Sequence, residues 1–216
     1  MKYAIQSLAF FAMLGYLTSC SSAPAGEKVV SGEAKKVENT PAAATAKELA
    51  VDVAASKIEW LGTKTGGQHN GDVKLKSGSI KVDGGKIVGG AFVIDMTSIS
   101  VLDLKDKPKA DLEGHLKNAD FFEADKHPEG KFEIVSVKEE AGAEGQTHVV
   151  TGNLTLKGKA LSVNIPAKVA ISDAGLTATT AQFTINRQDW GINYKSSMKD
   201  VVINDNMGIK ITLSAK

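Results

Sequence analysis

Residues 163–171, VNIPAKVAI, decide the fold because apolar side chains recur at every second position. A period of two places successive side chains on opposite faces of a strand, so this segment predicts a strand with one buried face and one solvated face. The same alternation occurs at residues 150–157, 181–186 and 209–214. We therefore predict a protein built mainly of β-strands.

Further strands are predicted on either side of this group. They fit residues 57–62, 72–82, 86–95 and 132–138, and turn sequences such as DGG at 83–85 separate them. Only one stretch, about 110–118, has helical spacing, with Leu112, His115 and Leu116 on one face. About eight antiparallel strands and one short helical insert predict an all-β fold, either a barrel or a sandwich. Closure into a barrel removes exposed sheet edges, and eight strands can enclose one slender ligand.

The N-terminus has the features of an export signal. Lys2 precedes an apolar run at residues 3–17, shorter than the ~20 residues of a membrane-spanning helix. We read residues 1–19 as a secretory signal peptide. The sequence LTSC at 17–20 resembles the bacterial lipoprotein box, in which the cysteine is acylated and becomes the mature N-terminus. We expect Cys20 to anchor the protein to a membrane of the bacterial cell envelope, facing the periplasm.

The segment from Cys20 to residue 49 is rich in Ala, Pro, Gly, Lys and Glu and has no aromatic residue. Such a composition buries too little apolar surface to offset the entropy of ordering, so we expect a flexible tether. Residues 50–216 then form one barrel domain. The chain has nearly equal numbers of basic and acidic residues and no basic run, which gives no indication of a nucleic-acid partner.

Two polar residues are candidates for contact with a ligand headgroup. His69 lies in a glycine-rich segment, where the alternative is a turn residue bonded to nearby backbone. Arg187 is the only arginine, and its fork of donors suits a quinone, phosphate or carboxylate. The alternative for Arg187 is a salt bridge to Asp189 or Asp120.

Metal and catalytic sites are not indicated. Cys20 is the only cysteine, which excludes disulfides and cysteine-based metal sites within the chain. His115 and His127 lack the spacing of zinc ligands. No nucleophile motif accompanies Asp120 and Asp125, so we expect no catalytic residue.

Six motifs follow one another along nearly the whole domain. They are VD at 51–52 with SKIEW at 56–60, GQHNG at 67–71, FVIDMTSI at 92–99, HLKNADFF at 115–122 followed by Pro128 and Phe132, GNLTLKG at 152–158, and FTINRQDWGI at 183–192. In this order they resemble the YceI-like family of bacterial periplasmic lipid-binding proteins. The resemblance implies an extended, lipocalin-like antiparallel barrel whose apolar tunnel takes an isoprenoid or a similar amphiphile.

The resemblance and the strand faces together give the candidate ligand-binding residues. These are Trp60, His69, Phe92, Ile94, Phe121, Phe122, Phe132, Leu154, Leu156, Ile165, Phe183, Ile185, Arg187 and Trp190. Gly152, Ala167 and Ala181 on the predicted inner faces would leave room for a guest, or would fit a tapering barrel filled by its own side chains. Phe121 and Phe122, with Leu112 and Leu116, are expected to plug one end of the barrel.

These expectations describe a non-enzymatic, membrane-tethered protein that holds an isoprenoid-type lipid, such as a quinone or a polyprenyl lipid, for transport, storage or sensing. The lipid and the membrane are its expected partners, and no other cofactor is expected. Monomer and homodimer both stay open. Two alternatives are an enzyme acting on an isoprenoid-type substrate inside the barrel and a filled barrel serving as a stress or interaction lipoprotein.

Overall fold

The computed structural model describes residues 23–38 and 45–216. The predicted signal peptide and Cys20 lie outside these residues. The elements are β1 (Glu27–Lys28), β2 (Gly32–Glu33), β3 (Lys47–Ala50), β4 (Lys57–Lys64), β5 (Gly67–Asp83), β6 (Lys86–Val101), α1 (Asp106–Lys117), β7 (Glu129–Glu139), β8 (His148–Leu156), β9 (Lys159–Ser172), β10 (Gly175–Thr179), β11 (Phe183–Asn186) and β12 (Asn206–Ala215). Two short 3-10 turns cover Ala143–Gly145 and Arg187–Trp190.

Eight strands close into an antiparallel barrel. Each strand from β4 to β10 pairs with the next along the chain, β10 pairs with β12, and β12 returns to β4. Strand β11 follows β10 along the same edge of β12, after a break at residues 180–182. The predicted all-β barrel with one short helix is therefore confirmed.

The side-chain alternation of β9 is as predicted. Val163, Ile165 and Ala167 are buried, whereas Asn164 and Lys168 are exposed. This is the pattern of a strand whose inner face meets the core and whose outer face meets water.

Strand β11 departs in part from its predicted pattern. Phe183, Thr184 and Ile185 are all buried, and Ala181, predicted to point inward, is exposed in the break before the strand. Within the strand the predicted alternation holds, since Phe183 and Ile185 line the barrel interior and Thr184 does not, but the outer face of β11 is buried as well and Ala181 lies outside the strand.

Helix α1 begins at Asp106, earlier than predicted, and packs against the end of β6. The Glu113 carboxylate accepts a hydrogen bond of 2.8 Å from the backbone N–H of Val101. The loop after the helix is joined to the β8–β9 turn, where Lys157 Nζ donates to the carbonyl of Ala119. We call this end of the barrel the helical end. It comprises α1, the β8–β9 turn and residues 187–205.

Among the described residues no helix is both long enough and apolar enough to cross a membrane.

Residues 23–38, which we call the arm, lie along the barrel wall. Strand β1 pairs in parallel with β11, and β2 pairs antiparallel with β9. Val29 between them is 5% exposed and belongs to the core. The expectation of a flexible tether fails for this segment, because edges of barrel strands supply backbone partners that its composition cannot reveal.

Strand β3 is a second departure from the expected tether. It pairs with β5, and its Leu49 side chain is 3% exposed. Ordered structure therefore begins before the predicted domain boundary at residue 50.

Candidate functional site

The interior of the barrel is hollow and apolar. A cavity of about 260 Å³ is lined by side chains from β4 to β12, mostly Ile, Leu, Val, Phe and Met. Val163, Ile165, Ala167 and Val169 of β9 alone cover ~20 Å along the strand, at ~3.3 Å per residue. The shape is that of a tunnel suited to an apolar chain, and we call it the chamber.

Twelve of the fourteen predicted ligand-binding residues line the chamber. They are Trp60, Phe92, Ile94, Phe121, Phe122, Phe132, Leu154, Leu156, Ile165, Phe183, Ile185 and Arg187. Nine of them share the inner face of the closed sheet, whereas Phe121 and Phe122 enter from the loop after α1 and Arg187 from the 3-10 turn after β11. Their role in binding a ligand stays a prediction.

His69 does not line the chamber. Its Nδ1 lies 2.8 Å from Asp103 Oδ2, and the backbone N–H of Asn70 donates to the other oxygen of Asp103. Desolvation raises the pKa of the Asp103 carboxyl, but the hydrogen bonds from Asn70 and His69 outweigh it and leave the pKa below its ordinary value. The structure thus places His69 in a polar cluster at the barrel surface and not in the chamber lining. Its predicted contact with a ligand headgroup stays a prediction.

Trp190 also lies outside the chamber lining. Its side chain is 1% exposed, and Nε1 donates a hydrogen bond of 3.0 Å to the carbonyl of Leu154. Gly191 ends the 3-10 turn in the left-handed region at φ 76°, a conformation that favours glycine. The tryptophan therefore fastens the loop after β11 to β8.

Arg187 is a buried structural cation at the edge of the chamber. Its Nη2 lies 2.8 Å from Asp205 Oδ1, and Nη1 and Nε donate to the carbonyls of Ile192 and Asn204. The predicted partners Asp189 and Asp120 are wrong, since Asp205 takes that place. Burial lowers the pKa of the guanidinium, and the charge of Asp205 opposes this shift.

The predicted plug forms at the helical end. Leu116, Phe121 and Phe122 line the chamber there, whereas Leu112 does not. The ring of His115 meets the rings of Phe121 and Tyr194 edge-on, with centroids 5.0 and 4.7 Å away. His115 thereby holds the plug against the loop at residues 187–205.

Of the three small residues expected on the inner face, only Ala167 lines the chamber. Ala181 is exposed. Gly152 is buried but does not line the chamber, because the ring of Phe132 occupies the space where a Cβ on residue 152 would lie. Phe132 thus fills the room that Gly152 was expected to leave.

Sequence reasoning missed the contacts of the arm. Asn153 and Ser162 are ladder partners on β8 and β9 at outward positions, yet they are 6% and 4% exposed. The arm lies over them, and the Asn153 side chain exchanges two hydrogen bonds with the backbone of Lys35. No pattern in the sequence indicates that these outward polar residues are buried.

Within residues 23–38 and 45–216, no group of three or more His, Cys, Asp and Glu side chains is arranged to hold a metal ion.

The family model of the YceI-like domain matches residues 49–215. The chain belongs to the YceI-like family. The arm lies outside the matched residues, so the family pattern does not account for it.

Two curated relatives of this YceI-like chain are UPF0312 proteins. The one from Photorhabdus laumondii is 39% identical over 64 residues, and the one from Pectobacterium carotovorum is 36% identical over 64 residues. Each alignment covers 30% of this chain and 31% of the relative, so the matched region spans about a third of the curated relatives.

Two solved structures resemble the whole barrel. BcnA of Burkholderia cenocepacia is 28% identical with a TM-score of 0.61, over 77% of this chain and 99% of BcnA. A domain from Saccharophagus degradans, described as polyisoprenoid binding and implicated in plant cell wall breakdown, is 14% identical with a TM-score of 0.58, over 78% of this chain and 97% of that domain. At that identity the second likeness shows the fold alone.

Proposed function

We propose that this YceI-like protein is a non-enzymatic lipid-binding protein whose chamber encloses the chain of an isoprenoid or a similar amphiphile. The carrying observation is the apolar chamber that runs along the barrel. Burial of each methylene group contributes ~0.8 kcal/mol, so ~15 carbons supply ~12 kcal/mol before the costs of association. Affinity of this origin needs no ionic contact and depends on chain length and bulk.

The choice of an isoprenoid is supported by the Saccharophagus degradans domain, which shares the fold and is described as polyisoprenoid binding. The chamber mixes aromatic rings with branched aliphatic side chains, and this apolar lining is compatible with a methyl-branched chain. A quinone or a polyprenyl lipid fits this description, held for transport, storage or sensing.

The proposal includes attachment to a membrane of the cell envelope through acylated Cys20. Ala23 begins the described arm, and three extended residues span at most ~11 Å, so an acyl anchor at Cys20 would hold the barrel close to the lipid surface. Cys20→Ala should move the protein from the membrane fraction to the soluble fraction of the host. Continued recovery with membranes would refute the anchor and leave the chamber's function untouched.

Native mass spectrometry of the full chain from its own host tests the function. Ala178 of β10 lines the chamber, and Ala170 of the neighbouring strand β9 is exposed. We expect a co-purified hydrophobic species in the wild type and in Ala170→Phe, and its loss in Ala178→Phe, whose ring would occupy the chamber. A wild-type protein whose native mass shows no bound species would favour the filled-barrel alternative. Chemical turnover of the bound species would favour an enzyme.

A further inference from the structure

The barrel wall is interrupted between β9 and the chain that follows β10. The β9–β10 ladder ends at the pair Lys168 and Thr179. Beyond it, residues 161–167 of β9 face residues 180–186, and in the described chain these two segments share no strand pairing with each other. Each edge is instead bonded to the arm. We call this gap the seam.

The arm crosses the seam from one edge to the other. Glu27 and Lys28 pair with β11, and the N–H of Val29 donates to the carbonyl of Thr184 at 2.8 Å. Gly32 and Glu33 then pair with Ser162 and Leu161 of β9. Each ladder is two residues long, whereas the β8–β9 ladder runs the length of β8. Short segments with few bonds open at a lower free energy than the body of a sheet.

The wall is thin beside the arm. A surface pocket of about 500 Å³ lies there, lined by polar residues that include Glu27, Lys168 and Lys210. Ala167 and Thr180 line both this pocket and the chamber. At the seam, therefore, two small residues border both the polar surface pocket and the apolar interior.

We propose that the seam is the route by which the lipid enters and leaves the chamber, and that the arm is the strap that closes it. The inference rests on the proposed lipid-binding function. A lateral route lets an amphiphile keep its polar head in the polar pocket while its chain passes between strands into the chamber. A second candidate route, the helical end, is covered by the plug of Leu116, Phe121 and Phe122, which tertiary contacts of His115 and Tyr194 hold in place.

A reversible cross-link of the strap tests the route. Gly32 and Ser162 are antiparallel Cα partners, a separation of ~4.5–5.5 Å that a disulfide can bridge, and a Cβ on residue 32 meets nothing within 4 Å. The double variant Gly32→Cys and Ser162→Cys is made in the full chain carrying Cys20→Ser, so the new pair are the only cysteines. The control is Thr151→Cys with Asn164→Cys, partners within the β8–β9 ladder that the proposal leaves closed.

The measurement is transfer of retinol, a fluorescent isoprenoid, from phosphatidylcholine vesicles to the protein. We expect the oxidised strap variant to take up retinol at least ~10-fold more slowly than its reduced form, since the cross-link removes the local opening. Oxidation of the control pair should leave the rate unchanged. Equal rates for the oxidised and reduced strap variant, with retinol still bound, would overturn the lateral route and favour the helical end. Failure of the Cys20→Ser parent to bind retinol would overturn the proposed function itself.

Two adjacent valines of the arm provide a second test. Val29 is 5% exposed, whereas Val30 is 73% exposed. Val29→Ala should loosen the strap and raise the retinol exchange rate ~10-fold, because a lost buried contact increases the population of the open form. Val30→Ala should leave the rate unchanged. Identical exchange by the two variants would contradict a closing role for the arm.

Discussion

At the scale of single residues, Arg187 shows what the sequence can and cannot indicate. The sole arginine, at the end of a predicted strand, predicts either a contact with a ligand headgroup or a salt bridge to a carboxylate. The partner, Asp205, lies beyond a loop whose path no local pattern encodes. The same limit applies to Trp190, whose apolar ring predicts burial but whose hydrogen bond to Leu154 depends on tertiary structure.

Replacing Arg187 should be strongly destabilising. Arg187→Leu leaves the carbonyls of Ile192 and Asn204 without their donor and Asp205 without its partner. The Asp205 side chain is 44% exposed, so the cost falls mainly on the two carbonyls, and we expect a loss of ~2–4 kcal/mol in the free energy of unfolding, measured by urea denaturation. Lys131→Leu, at an exposed position of β7, is the control and should change stability little. A loss below about 1 kcal/mol for Arg187→Leu would show that these bonds do not hold the loop.

At the scale of elements, helix α1 and the arm are both fastened by polar contacts with neighbouring elements. The helix was predicted from its apolar face, but its anchor, the bond from Val101 to Glu113, joins two segments with no shared pattern. The arm was predicted as a tether because its own residues carry no periodicity. In both cases the structure depends on hydrogen bonds with backbone groups of a neighbouring element. The residue types in the sequence do not reveal which backbone groups these are.

The Glu113 anchor should make stability depend on pH. The hydrogen bond from Val101, opposed by burial and aided by nearby lysines, lowers the pKa of Glu113 below its ordinary 4.5. Its contribution is therefore present above that pH and is lost as the pH falls through the lowered pKa of the folded state. Between pH 6 and pH 3 the wild type should lose more unfolding free energy than Glu113→Gln does. Asp111→Asn, on the exposed face of α1, is the control, and parallel curves for wild type and Glu113→Gln would refute the anchor.

Loosening the arm should expose it to protease. Asn153→Ala removes both hydrogen bonds to Lys35. The control, Asn164→Ala, removes one exposed hydrogen bond with Thr151, outside the arm. We expect several-fold faster trypsin cleavage after Lys28, Lys35 and Lys36 in Asn153→Ala, read by mass spectrometry of the native protein. Cleavage of the arm at the same rate in the two variants would mean that Asn153 does not hold it.

At the scale of the whole molecule, the barrel was predictable and its closure was not. Turn sequences helped to place β4 to β7, and the period of two located β8, β9, β11 and β12. Neither signal could locate the short β10, the break at residues 180–182, or the pairing of β1 with β11, since these depend on contacts between distant parts of the chain. The chamber was expected from the family resemblance, because small and large inward residues are equally compatible with a filled interior.

A hollow interior should make the protein's thermal stability respond to apolar ligands. A ligand that binds only the folded state at 100 times its dissociation constant adds ~2.7 kcal/mol to the free energy of unfolding. We expect farnesol to raise the Tm of the wild type and of Ala170→Phe in calorimetry, and to leave Ala178→Phe unchanged. An equal rise in Ala178→Phe would place the bound farnesol outside the chamber.

The arm also has a consequence for the order of assembly. Its partners on β9 and β11 are more than a hundred positions away in the chain, and pairing across such separations forms late because loop closure costs entropy first. An arm near the N-terminus is synthesised early but can dock only after the last strands have folded. A nascent barrel would therefore pass through a stage with its flank open, and an amphiphile present at that moment could be trapped during biogenesis rather than collected afterwards.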